Sequence, residues 1–260
     1  MKPYLEEGFW NFMENKPLIS VITVTYNAGQ VISKTLNSLR DQSFKDFEHL
    51  VIDGASKDDT LKILTEANLP QTIVISEPDK GLYDAMNKGL RKAKGRYVIF
   101  LNAGDAFHEP DTLENYACGA RKGYDIIYGD TVIVDSTGNY IGPRHLSVPV
   151  KLTKESFSEG MLICHQAFMV KKELAPLYNL EYRFSADYDW CVKCISNSKP
   201  GNSLNLQKVS IDYLSEGLTD KNKFKSLKER FRIMSNHYGL FKTLSKHFGF
   251  LFRALKRGSL

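Results

Sequence analysis

An α/β fold with a mostly parallel central sheet flanked by helices is what this sequence predicts, and three observations carry the prediction. Short β-branched apolar runs alternate with segments of helical periodicity through the first hundred residues. Each run ends in a cluster of polar residues. The composition, 42% hydrophobic and 25% charged over 260 residues, supplies enough apolar material for a sizeable core.

The elements follow in order. Leu18–Thr25 is apolar and β-branched without alternation, the pattern of a strand buried on both faces. Tyr26, Asn27 and Gly29 break it, and Val31, Ile32, Thr35, Leu36 and Leu39 then fall at helical spacing. Phe47–Ile52 reads as the second strand, and Asp58, Asp59 and Thr60 offer helix-capping chemistry before Leu61–Leu64. Thr72–Ser76 is the third strand, Leu82–Ala93 a helix stopped by Gly95, and Arg96–Leu101 the fourth strand. Past residue 111 the pattern becomes mixed. A helix over Thr112–Arg121 precedes a hairpin built on Ile126–Val134 and Tyr140–Ile141; Met161–Val170 reads as a strand, Ala186–Ile195 as a helix and Leu204–Tyr213 as a strand. Phe224–Leu255 is helical, with Gly239 placed to divide it. The chain thus divides into an N-terminal extension (1–17), a first half (18–110), a second half of the same domain (111–218) and a basic helical C-terminal extension (219–260).

Several function classes drop out. The opening residues carry Glu6, Glu7 and Glu14, so they lack the basic start and unbroken apolar core of a signal peptide. No apolar stretch reaches spanning length, and the expected location is cytoplasmic. Four cysteines do not make a disulfide framework in a chain this long, and Cys191 and Cys194 lack the second pair a zinc site needs, so they read as buried side chains of one helix. Charge is uneven: positions 1–220 hold 24 Lys and Arg against 29 Asp and Glu, whereas positions 221–260 hold 11 against one, Glu229. A basic helix with an apolar face suits an anionic membrane surface, which makes the cytoplasmic face of a membrane the expected partner; a helix packed on its own domain is the competing reading. Nucleic acid is not expected, because no recognised module accompanies the charge.

In parallel sheets ligands bind beyond the carboxyl ends of the strands. The polar clusters Thr25-Tyr26-Asn27, Asp53 to Ser56, Glu77 to Asp79 and Asn102 to Asp105 all occupy such ends. Asp84, Asn87 and Lys88 recur at helical spacing on the opening turns of a helix whose N-terminus favours an anion such as diphosphate. An acidic residue just past a strand can hold Mg²⁺ or Mn²⁺ against two phosphates, and in the last cluster only Asp105 is anionic, with Asn102 adding a neutral oxygen. Arg144 and Arg183 are available to neutralise phosphate.

Taken together, Val21–Asn27, Val51–Thr60, Gly81–Gly89 and Phe100–Asp105 resemble the family 2 inverting glycosyltransferases in order and spacing, over roughly residues 18–110 and more weakly to about 215. The resemblance implies the GT-A nucleotide-diphospho-sugar transferase fold, a nucleotide-sugar donor (usually a UDP-sugar), and a saccharide or lipid-linked acceptor. It implies that Thr25, Tyr26, Asn27 and Asp53, with Gly54 and Ser56, line the nucleoside pocket, and that Asp79, Gly81, Asp84, Asn87 and Lys88 lie near ribose and diphosphate. The family's metal-holding Asp-x-Asp is altered, with Asn102 and Gly104 in place of its two aspartates, which leaves Asp105 to hold a Mn²⁺ or Mg²⁺ ion. Asp187 matches the family's catalytic base, as the single displacement of an inverting transfer requires one carboxylate to take the acceptor proton, and Asp189 is its fallback. His165 matches a position lining the acceptor side.

Competing functions are weaker. A nucleotidyltransferase would show a glycine-rich basic loop where Tyr26–Gly29 stands, and a dinucleotide oxidoreductase would show G-x-G-x-x-G after the first strand. A catalytically silent nucleotide-sugar-binding or scaffold protein is the alternative that the altered acidic motif keeps open.

Overall fold

The structure is a computed structural model that describes residues 16–215 and 223–256, with side chains over 16–215 and 225–249. Most of the N-terminal extension lies outside the described residues.

The first half follows the sequence reading closely. Strand β1 (Ile19–Thr25), helix α1 (Ile32–Arg40), β2 (Phe47–Asp53), α2 (Thr60–Ala67), β3 (Thr72–Ser76), α3 (Leu82–Lys92) and β4 (Tyr97–Phe100) alternate without interruption. β1 pairs in parallel with β2 and β4, and β2 in parallel with β3. Every residue of β1 and of β2 is buried, which is why neither strand shows the apolar–polar alternation of a half-exposed sheet.

The second half adds β5 (Ala106–Phe107), α4 (Thr112–Arg121), β6 (Ile126–Val134), β7 (Tyr140–Pro143), β8 (Phe168–Lys171), α5 (Ala186–Asn197) and β9 (Ser203–Leu214), then α6 (Lys223–Tyr238) and α7 (Leu240–Lys256). The sheet runs β3-β2-β1-β4-β8-β6-β9-β5, with β7 on β6. β8 is antiparallel to both β4 and β6, β9 is parallel to β6, and β5 is antiparallel to β9. The sheet is therefore parallel in the first half and mixed in the second. The strand expected over Met161–Val170 shrinks to Phe168–Lys171, and residues 165–167 form a 3-10 turn. That run is apolar because it is buried, and burial alone does not distinguish a strand from an irregular core segment.

Alternation along the strands divides the core in two. Ile22, Val24, Ile52, Val98 and Phe100 face α3, α5 and α6. Ile19, Val21, Tyr97 and Ile99 face Leu39 of α1 and Leu113, Tyr116 and Ala117 of α4. Two buried details set the frame. His49 lies between the hydroxyls of Thr23 and Thr72, 2.9 Å from each, and burial pushes its pKa down to about 3. Gly89 of α3 meets the sheet so closely that a Cβ there would stand 2.4 Å from a methyl of Ile22. No helix among the described residues is long and apolar enough to cross a membrane. Cys191 and Cys194 are buried free thiols.

Candidate functional site

A cleft of about 1160 Å³ opens at the carboxyl ends of β1 and β4. One wall is Thr25 and Tyr26 at the end of β1, with Asp79 to Ala85 at the start of α3; another is Asn102 to Asp105; a third is Arg144, His145, His165, Gln166, Arg183 and Asp187. Arg230 of α6 closes it.

The nucleotide-side corner is tightly organised. Asp53, fully buried, accepts Ser56 N–H at 3.0 Å, Ser56 Oγ at 2.5 Å and Ser76 Oγ at 2.6 Å. It therefore ties the ends of β2 and β3 together and does not line the cleft itself. Asn27 is in the left-handed region (φ 48°); its N–H donates to Ser56 Oγ at 2.8 Å and its side-chain oxygen accepts Lys57 N–H at 2.8 Å. Gly54 sits where a Cβ would meet Asp79 Oδ2 at 2.5 Å and Tyr26 Cδ2 at 3.2 Å. Asp53, Ser56 and Asn27 thus build the lip, while Thr25, Tyr26 and Asp79 present it. Tyr26 is 64% exposed, a flat aromatic surface open at the rim.

Helix α3 meets the cleft end-on. Gly81, Leu82, Tyr83 and Asp84 reach it. Asp79 accepts Gly81 N–H at 2.7 Å and Asp84 accepts Lys80 N–H at 3.0 Å, which shapes the entry turn. Asn87 and Lys88, expected near the ligand, point elsewhere. Asn87 is buried and exchanges two hydrogen bonds with the backbone of Tyr178, at 2.7 and 3.0 Å. Lys88 donates to Pro78 O at 2.7 Å and pairs with Glu77 at 2.9 Å. One turn further along, a residue stands about 5 Å deeper, beyond the reach of the cleft.

The loop after β4 is held by Thr35 of α1, whose hydroxyl donates to Asp105 O at 2.7 Å and accepts Gly104 N–H at 2.9 Å. Asp105 is buried and accepts Leu214 N–H and the Gln166 amide, each at 2.9 Å. Burial pushes its pKa up to about 7, against the pull of those two donors and the Lys34 charge. Asn102 Oδ1 is buried with no hydrogen-bond partner in the fold. Among the described residues no group of three or more His, Cys, Asp or Glu side chains converges on a metal position. Toward a divalent ion the protein would offer one unclaimed amide oxygen, that of Asn102, and the Asp105 carboxylate, whose two oxygens already accept Leu214 N–H and the Gln166 amide.

Across the cleft stands Asp187, in the first turn of α5. Tyr83 OH donates to its Oδ1 at 3.1 Å, and His165 Nδ1 lies 3.7 Å from its Oδ2. Burial first, then the Asp187 charge, hold the Tyr83 hydroxyl well above the ordinary phenol range, so it remains a donor. Burial lowers the pKa of His165, partly opposed by Asp187, and its Nε2 is buried without a partner. Tyr83 is fixed in turn by stacking: its ring lies 5.4 Å from Tyr178, which stacks 5.1 Å from Trp190 of α5. Asp187 is thus a partly exposed carboxylate aimed into the cleft by a rigid aromatic column.

Asp189 is not in the cleft. It is buried, 2.7 Å from His237 Nε2 and 2.6 Å from Lys193 Nζ. Two residues along a helix turn the side chain by about 200°, so Asp187 and Asp189 cannot share a face, and Asp189 docks α6. Sequence reading missed Tyr83, Arg230 and Lys80. The first two reach the site through packing between distant elements, which no local spacing reveals.

Known proteins share this sequence pattern and fold. The sequence model of Glycosyl transferase family 2 matches residues 20–175. The PGL/p-HBAD biosynthesis glycosyltransferase of Mycobacterium bovis BCG is 35% identical over 189 residues, covering 70% of this chain and 71% of that protein. Staphylococcus aureus TarS (residues 1–349), solved with UDP-GlcNAc, superposes with a TM-score of 0.70 at 20% identity, over 89% of this chain and 73% of that one. The mannosyltransferase PcManGT of Pyrobaculum calidifontis, solved with GDP-Man and Mn²⁺, gives 0.60 at 16% identity, over 94% and 77%.

Proposed function

The chain belongs to glycosyl transferase family 2 and is a glycosyltransferase; from that premise we propose an inverting transfer of a sugar from a nucleotide-diphospho-sugar, a UDP-sugar in the first instance, to an acceptor hydroxyl in surface polysaccharide or glycolipid synthesis. The observation that carries the reading is Asp187, a carboxylate that accepts the Tyr83 hydroxyl, with His165 3.7 Å away, inside the cleft and opposite the nucleotide-side corner. The mycobacterial relative is named for PGL/p-HBAD biosynthesis and TarS was solved with UDP-GlcNAc, which supports a biosynthetic transfer and a UDP-sugar donor.

The nucleoside rests in the corner of Thr25, Tyr26 and Asp79 that Gly54 leaves open, and the diphosphate lies toward the N-terminus of α3 and the loop after β4. Asp187 removes the proton from the acceptor hydroxyl as that oxygen attacks the anomeric carbon and the bond to the nucleoside diphosphate breaks. Charge on the departing diphosphate is met by Lys80, Arg144, Arg183 and Arg230, all in the cleft wall. Asn102 and Asp105 are the residues that would hold a Mn²⁺ or Mg²⁺ ion, whose charge would offset the diphosphate further; PcManGT was solved with Mn²⁺.

The C-terminal extension supports contact with an anionic membrane surface on the cytoplasmic side. On α7, Leu240, Phe241, Leu244 and Phe248 are exposed, Phe241 by 90%, and lie along one stripe of a strongly basic segment.

Release of nucleoside diphosphate from a panel of UDP- and GDP-sugars, with saccharide and lipid-linked acceptors, in Mn²⁺, Mg²⁺ or EDTA, tests the reading. Turnover of one donor, reduced by EDTA, is the expected result. Saturable donor binding with no turnover on any acceptor favours the silent binding protein, and no donor binding overturns the proposal. Sedimentation of the same preparation with anionic but not neutral vesicles tests the surface.

A further inference from the structure

Helix α6 lies beyond the residues matched by the family, and its sequence marks it only as basic. Its one acidic residue makes the contact of interest. Glu229 accepts three consecutive backbone N–H groups: Arg183 N at 2.9 Å on Oε1, then Phe184 N at 2.7 Å and Ser185 N at 3.0 Å on Oε2. Those amides lead directly into α5, whose N-cap residue is Ser185. Ser185 makes no side-chain cap of its own; its hydroxyl lies 2.8 Å from Ser226 Oγ of α6. Asp187 follows two residues later. The same helix holds the segment at two further points, Asn236 donating to Tyr182 OH at 3.2 Å and His237 Nε2 lying 2.7 Å from Asp189 Oδ1.

Backbone amides in the turn before a helix have no intrahelical partner of their own and are ordinarily met by nearby side chains or water. Here a carboxylate from another helix takes three of them, at charge-assisted distances, while the Ser185 hydroxyl reaches Ser226 of α6. We propose that Glu229 is a positioning residue for transfer: its carboxylate fixes the backbone of Arg183 to Ser185 and so holds Asp187 against the Tyr83 hydroxyl and His165, at the place where the acceptor proton is taken. This rests on the reading of Asp187 as the base. It makes α6 part of the catalytic unit, which like Asp187 itself lies past the matched family segment. A carboxylate is specified because all three partners are donors; the amide of glutamine would turn an N–H toward a backbone N–H.

The test compares Glu229→Gln and Glu229→Asp with wild type in the full chain, and uses Lys228→Ala, an exposed neighbour on the same helix, as a control. Misplacing a catalytic group by about 1 Å costs up to roughly a hundredfold in rate. E229Q is therefore expected to lower kcat about tenfold or more, with the donor Kd within about twofold of wild type and hydrogen-exchange protection lost at Arg183 to Ser185. E229D, which draws the charge back by one methylene, is expected to fall between, and it carries the test if E229Q does not fold. K228A keeps wild-type kcat. An E229Q or E229D chain with unchanged kcat, or one whose donor binding falls in step with kcat, overturns the inference alone. A wild-type chain that turns over no donor overturns the functional reading and the inference with it.

Discussion

The two sides of the cleft are stabilised in different ways. On the nucleotide side the polar residues satisfy one another at short range: Asp53 binds Ser56 and Ser76, Asn27 binds Ser56 and Lys57, and Asp58 binds Thr60 and Gly29. The result is a pre-formed lip whose carboxylates are spent on shape. On the opposite side one carboxylate, Asp187, remains partly exposed, and its surroundings come from three separate places: the Tyr83 hydroxyl of α3, His165 of the 165–167 turn 3.7 Å away, and α6, whose Glu229 accepts the amides just before α5. Binding surfaces can be assembled from local turns. A reactive group in a defined orientation needs long-range packing.

Substitutions at matched positions can break or sharpen that contrast. The largest effect is expected at Asp187→Asn, which keeps the volume and removes the base: turnover should fall by about 10²- to 10⁴-fold, with donor binding by calorimetry unchanged. Asp53→Asn should behave oppositely, weakening donor binding and lowering Tm through the lip. If both variants lose binding and rate together, the division of labour is wrong. Next comes Tyr83→Phe, which deletes the hydroxyl donated to Asp187 while leaving the stack with Tyr178 and Trp190 intact. A charge-assisted hydrogen bond of about 1.5–3 kcal/mol sets the expected loss at roughly ten- to a hundredfold in kcat, read with little change in donor KM. The smallest effect at neutral pH belongs to His49. Its folded pKa, about 3, lies below its unfolded value near 6.5, so the unfolded chain alone takes up the proton between those values. Its contribution to stability is complete above about pH 6.5 and is lost toward pH 3, by about 1.4 kcal/mol per pH unit. Urea unfolding between pH 7 and 4.5 should show a shallower slope in His49→Gln than in wild type; equal slopes would place the acid sensitivity elsewhere.

How much of this was legible in the sequence follows the same division. The alternating strands and helices of the first half, and the strand-end clusters, appear as local patterns because burial on both faces and tight turns impose them residue by residue. Asn87 and Lys88 misled because helical spacing predicts a shared face but not which way the helix axis points; α3 turns its end, not its side, to the cleft. Asp189 misled by proximity to Asp187, although two residues on a helix face apart. The antiparallel joins of β8, and the short 3-10 turn bearing His165, were hidden in the run Met161–Val170, apolar but for His165 and Gln166. Glu229 could not be found at all: it lies 42 residues past Asp187, in a segment whose charge pattern advertises surface, and its partners are backbone amides that carry no sequence identity.

The bare contact at Gly89 bears on all of this as a matter of mechanical tolerance. Helix α3 rests against Ile22 and Ile52 at Gly89, its one position without a side chain. From there to Tyr83 the helix is a rod of about 9 Å. Adding a methyl at the fulcrum, as in Gly89→Ala, lifts the rod off the sheet and displaces its far end, where a shift of an ångström is the difference between a hydroxyl in hydrogen-bond range and one outside it. The alignment of the site is thus gauged by the absence of a single methyl group, about one and two-thirds turns away from the hydroxyl that meets Asp187.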